Sequence, residues 1–135
     1  MICNAYYVLH SIGAYNMQIE RELLRGVLPM AVMRLLKRRA MYGYELVTEV
    51  SQRSDGVLSL GQSTLYPLLY NLEAQGLVES EWQASEGARD RKYYKLTDKG
   101  LQRLERDLSQ WDALVRGMGR LVVGTSEGRV SVVLP

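Results

Sequence analysis

At Gly76 the hydrophobic period of this chain changes, and that switch constrains the fold more than any other feature. Upstream, in STLYPLLYNLEAQGLV (63–78), Leu65, Leu68, Leu69 and Leu72 fall at i, i+3, i+4 and i+7, the spacing of one buried helical face. Downstream, LVESEW alternates, with Val78, Ser80 and Trp82 on one side, and RKYYKL alternates again, with Lys92, Tyr94 and Leu96 together. The polar stretch QASEGARD between them contains Gly87, so the two short strands read as a hairpin around a basic, glycine-containing tip. Gly76 itself suits the residue just past a helix end, where a left-handed backbone is wanted.

Two further helical runs precede this unit. Leu24, Val27, Leu28, Ala31, Val32, Leu35 and Leu36 keep helical spacing, with Pro29 inside the pattern. Proline costs a backbone hydrogen bond unless it falls in the first turn, so this helix either begins near residue 26 or bends at the proline. In MYGYELVTEV, Gly43 can cap a helix that carries Leu46, Val47 and Val50 inward. SQRSDGVLSLGQ is a loop by its Ser, Asp and Gly content, and Leu58 and Leu60 alternate as in one short strand. After the hairpin, Thr97 is placed to cap a last helix. There Leu101, Leu104, Leu108, Trp111, Val115, Met118 and Val122 recur in alternating steps of three and four, a heptad seam. Gly117 and Gly119 weaken its last turns, by roughly 1 kcal/mol each relative to Ala.

The expected architecture is therefore mainly α with a small β-hairpin. Residues 21–97 form a winged helix-turn-helix, 98–123 a dimerisation helix and 124–135 a tail without helical pattern. Residues 1–20 form an N-terminal extension, expected to lack stable structure. Its first part, MICNAYYVLHSIGAY, has no basic n-region and does not read as a signal peptide, whereas MQIERELLRG from Met17 is more helix-like. Residues 1–16 read equally as an extension or as the product of an upstream start codon.

Composition narrows the chemistry. With Cys3 the sole cysteine and His10 the sole histidine, neither a four-ligand zinc site nor an intrachain disulfide is expected, and a Cys–His or Ser–His–Asp centre has poor material. No metal, cofactor or catalytic residue is expected, and no enzyme. No run of about 18 apolar residues suggests a membrane span, and a cytoplasmic location is expected. Net charge is only +2, but its distribution is uneven. Arg34, Lys37, Arg38 and Arg39 cluster at a helix C-terminus, where cations favour the helix dipole, and Arg89, Arg91, Lys92 and Lys95 crowd the hairpin.

In a winged helix the third helix lies in the DNA major groove and the wing lies alongside. The helix of residues 63–76 would then bury its leucines and offer Ser63, Pro67, Tyr70 and Ala74 outward. Gln62, Ser63 and Thr64 can donate to phosphate, Gln62 can also read adenine, and Pro67 or Ala74 can touch a thymine methyl. The basic wing adds phosphate contacts.

YGYEL (42–46), STLYPLLYNLEAQGLV (63–78) and RKYYKLTDKG (91–100) together resemble the signature blocks of the PadR family of transcriptional regulators, over about Leu23 to Leu121. The resemblance implies a dimeric winged-helix repressor of the short-tailed branch, which pairs through a single C-terminal helix. It implies Tyr44 at the phosphate backbone, Ser63, Thr64 and Tyr66 on the DNA face, and Arg91 and Lys92 in the wing. Tyr42, Tyr93 and Tyr94 would be structural. Trp111 would face its symmetry mate across a cavity where a planar aromatic effector can stack. Asn71 departs from the pattern, which more often has a basic residue there. The expectation is a homodimeric DNA-binding regulator, a repressor of operator DNA tuned by a small molecule. Its rivals are a winged-helix protein–protein adaptor and a ligand-binding helical dimer without a DNA role.

Overall fold

The computed structural model describes residues 19–123. Most of the expected N-terminal extension and the 124–135 tail lie outside the described residues. In chain order the elements are α1 (Arg21–Leu24), α2 (Val27–Leu36), β1 (Met41–Tyr42), α3 (Gly43–Arg53), α4 (Gln62–Ala74), β2 (Val78–Ser85), β3 (Ala88–Leu96) and α5 (Asp98–Val123). The helices α2, α3 and α4 enclose a core of Leu28, Val32, Met33, Leu36, Leu46, Val50, Leu65, Leu69 and Leu72. Leu77, Val78, Tyr94 and Leu104 close it from the sheet and from α5, and no polar side chain is buried among the described residues.

Local rules explain the element ends. Pro29 lies in the first turn of α2, behind the N-cap Gly26, so its missing N–H leaves no hydrogen bond unmade and the helix simply starts beside it. Gly43 is not the cap of α3 but its first residue. The extended Tyr42 takes the cap position, and its backbone N–H donates to Glu45 Oε1 at 3.2 Å. At the end of α4, Gly76 adopts φ 75°. Its N–H bonds Glu73 O (2.9 Å) while Leu77 N–H bonds Leu72 O (2.9 Å), the paired pattern that seats Leu77 against the helix it has just left. Thr97 caps α5 as expected: its hydroxyl accepts from Gly100 N (3.0 Å) and donates to Gly76 O (2.7 Å), tying the start of α5 to the end of α4.

The sheet has order β1–β3–β2 and is antiparallel throughout. The hairpin is present, but the third strand is not where alternation placed it. Leu58 and Leu60 form no strand. They pack from a loop that Ser54 organises, its hydroxyl accepting from Leu58 N at 2.9 Å. The third strand is Met41–Tyr42, whose partners are Tyr94 and Tyr93. Two residues are too few to show a period, so only the pairing with β3 defines it.

Candidate nucleic-acid interface

Helix α4 divides its surface between two tasks. Leu65, Leu69 and Leu72 are buried, while Gln62, Ser63, Thr64, Tyr66, Pro67, Tyr70 and Asn71 are exposed. The N-cap Gly61 has no side chain to satisfy the first turn, and among the described residues no other side chain does so. Thr64 and Leu65 N–H groups bond back to Gly61 O, and those of Gln62 and Ser63 have no partner among the described residues. Pro67 sits inside the helix and cannot bond the Ser63 carbonyl, so that acceptor is open as well. Such a helix start, with donors, an acceptor and small side chains, suits close approach to a phosphate or a base edge.

The start of α3 meets this face. Tyr44, in its first turn, is exposed. The Tyr66 ring of α4 lies directly over Gly43, where a Cβ would collide with the Tyr66 hydroxyl. Glycine is therefore required for Tyr66 to lean across to α3, a contact that adds to the core packing between the two helices. The sequence suggested a capping role for Gly43; the reason for glycine is this close approach.

The wing corrects the expected picture of a basic tip. The turn is formed by Glu86 and Gly87, the glycine at φ 68°, and the cations lie back along β3. Residues 78–96 contain four acids (Glu79, Glu81, Glu86, Asp90) against four bases (Arg89, Arg91, Lys92, Lys95), so the hairpin is balanced rather than basic. Lys95 is paired with Glu79 at 3.2 Å. Arg91 and Lys92, expected to act together, point to opposite sides of the sheet because neighbours in a strand alternate. The Arg91 guanidinium stacks 4.5 Å from the centre of the Tyr42 ring, which in turn meets Tyr93 edge-on at 5.4 Å. Lys92 shares the side of Tyr94 and Trp82, its ammonium 5.7 Å from the Tyr94 ring centre. Arg89 is exposed near the turn.

Tyr94 fills the junction between wing and helices. Burial pushes its hydroxyl above the ordinary phenol range, and the nearby Glu73 carboxylate and Tyr66 add to the shift. Among the cations that end α2, Arg39 bonds Glu45 at 3.0 Å. A hydrogen bond from Arg53 holds Glu49 below the usual carboxylate range, with smaller effects of Arg53, Arg39 and Arg38 charge.

The heptad seam of α5 is split. Leu104 is wholly buried in the chain's own core, and Leu108 packs against that core. Leu101 is half-buried. Leu104, placed on the dimer seam by its spacing, therefore has no surface left for a second chain. Trp111 is 37% exposed and Met118 48%, and Leu114, Leu121 and Val122 are more open still. Val115 is half-buried. The open apolar stripe includes Leu114 and Leu121, which the strict heptad left out and which a wider i, i+3, i+4 stripe would have included. Among the described residues no helix is long and apolar enough to cross a membrane, and no group of His, Cys, Asp and Glu side chains could hold a metal ion.

Three helices, a hairpin paired to a short third strand, and an open polar helix start beside the wing define a winged helix-turn-helix protein. Residues 32–106 match the transcriptional regulator PadR-like family, and the chain belongs to that family. An uncharacterized protein of Lysinibacillus sphaericus is 30% identical over 94 residues, which span 69% of this chain and 85% of that one. A PadR family transcriptional regulator of Eggerthella lenta is 42% identical, with a TM-score of 0.66 over 75% of this chain and 86% of its own. Bacillus subtilis PadR, solved in complex with operator DNA, is 28% identical with a TM-score of 0.57, over 61% of this chain and 46% of its own. The chain is a PadR family transcriptional regulator.

Proposed function

We propose that this regulator is a homodimeric repressor. It binds operator DNA with α4 in the major groove, and a small-molecule effector modulates that binding. The observation that carries the reading is the open start of α4, where the N–H groups of Gln62 and Ser63, unpartnered among the described residues, stand beside exposed Thr64 and Tyr66, while Leu65, Leu69 and Leu72 are committed to the core. The operator complex of Bacillus subtilis PadR supports DNA as the partner. Phosphate positioning falls to Tyr44, Arg89, Arg91 and Lys92, and base reading to Gln62, Ser63 and Thr64. The apolar stripe of α5 from Trp111 to Met118 is the self-association surface. Residues 21–97 then act as the DNA-binding unit, 98–123 as the helix that joins two copies, and the compartment is the cytoplasm.

Effector control would work by population shift. A ligand that prefers one relative setting of the two winged units changes whether both half-sites are reached together, with a coupling of typically 1–3 kcal/mol. Trp111, at the boundary between buried and open parts of α5, is the proposed stacking partner for a planar aromatic compound, and saturable quenching of its fluorescence is the expected signature.

Selection of bound sequences from a random duplex pool tests the DNA reading. Enrichment of a paired half-site motif is expected, with affinity falling steeply as salt rises. A protein that enriches nothing, or whose partner binding is indifferent to salt, is instead an adaptor using the same helix face.

A further inference from the structure

We infer that Trp82 is a DNA-contacting residue, the part of the wing that covers the sugar–phosphate strand running between α4 and the hairpin. The inference rests on the DNA-binding reading above and adds a residue to it. Trp82 is 68% exposed in mid-strand, an unusual setting for the largest apolar side chain. Its surroundings explain why it is not simply a misplaced core residue. The same face of β2 carries Val78 in the core and Ser80, whose hydroxyl donates to Glu73 Oε2 of α4 at 2.6 Å. That contact joins the helix to the wing. Tyr70 and Tyr66 lie three and seven positions before Glu73, on the same edge of α4. Trp82 lies two residues beyond Ser80, on the same face of the wing.

The Ser80–Glu73 contact thus has an exposed aromatic edge on its α4 side and an exposed indole on its wing side. Lys92 is directly opposite Trp82 in the strand register and brings a cation to the same side. Glu79 and Glu81 pair with Lys95 and Tyr93 on the far side of the sheet, and the register slips beyond Arg91, toward the turn. A strand of duplex backbone fits this chemistry: phosphates for Lys92 and the tyrosine hydroxyls, and the apolar edge of a deoxyribose for the indole. Since backbone and sugar are alike at every step, the contact adds affinity without sequence preference.

The test uses the full chain and a fluorescein-labelled duplex of random sequence at low salt. The chain has two tryptophans, so Trp82→Phe leaves Trp111 as the sole indole, and the difference from wild type reports Trp82. Saturating duplex should shield Trp82 from acrylamide in the wild type, and the shielded component should be missing from Trp82→Phe. Trp82→Ala, at a position too exposed to unfold the hairpin, should weaken duplex binding about tenfold, equivalent to roughly 1.4 kcal/mol. Anisotropy of the duplex keeps the outcomes apart. No anisotropy change would remove the DNA reading and this inference together. Binding with Trp82 still fully open to acrylamide, or undiminished in Trp82→Ala, would overturn the inference alone.

Discussion

The two halves of α5 carry one apolar pattern and meet different surroundings. From Thr97 to Leu108 the helix is part of the winged domain: Thr97 ties it to Gly76, Leu104 is enclosed, and Gly100 lies so close to Leu77 that a Cβ would collide with the Leu77 carbonyl. From Trp111 onward the same face is more open: Val115 is half-buried, but Leu114 is 56% and Leu121 81% exposed. A helix of 26 residues is about 39 Å long, more than a domain of this size can cover. The lesson is that periodicity identifies an apolar face but not what lies against it. The near half answers to this chain's own core, and the far half keeps large apolar side chains open.

The largest effects should come from the near half. Leu104→Ala empties a fully enclosed site and should cost roughly 2–5 kcal/mol. Gly100→Ala should be comparably severe because the obstacle is backbone rather than a movable side chain. Thermal and urea melts check both, and near-native stability in either would mean that α5 is not built into the domain.

The wing offers a second contrast, between neighbours on opposite faces. Lys92→Ala, on the α4 side, should flatten the salt dependence of DNA affinity by about one unit of slope. Arg91→Ala should do less, since its guanidinium is engaged with Tyr42. Equal slopes for the two variants would show that the faces are not distinguished by DNA.

The smallest effect is at the domain junction. The raised pKa of Tyr94 means that the folded state keeps its phenol neutral where the unfolded chain ionises. That contribution is complete below about pH 10 and is lost as pH rises through the folded value. Tyr94→Phe should therefore lose less stability than wild type in alkaline melts, and parallel pH profiles would contradict the assignment.

What the sequence disclosed follows the range of each signal. Long periodic runs gave α2, α3, α4, the hairpin and α5, and Thr97 and Gly76 marked ends through local backbone chemistry. Met41–Tyr42 was hidden because two residues have no period, and Leu58 and Leu60 misled because alternation also occurs in a packed loop. The cations of β3 looked like a tip because linear spacing does not reveal the hairpin register that puts Glu86 and Gly87 at the turn. Leu104 and Trp111 were indistinguishable in the heptad, since burial depends on where the rest of the domain stops. Tyr66 over Gly43 joins positions far apart in sequence, and only the fold brings them together.

Sedimentation velocity on the wild type and on the double variant Leu114→Glu, Met118→Glu, with a thermal melt of each, tests the division of α5 most directly. A wild-type dimer with a concentration-dependent melt is expected, against a folded monomer for the variant whose melt does not depend on concentration. A variant that stays dimeric would mean that the far half is not the self-association surface. One that unfolds would mean that the two halves are not separate.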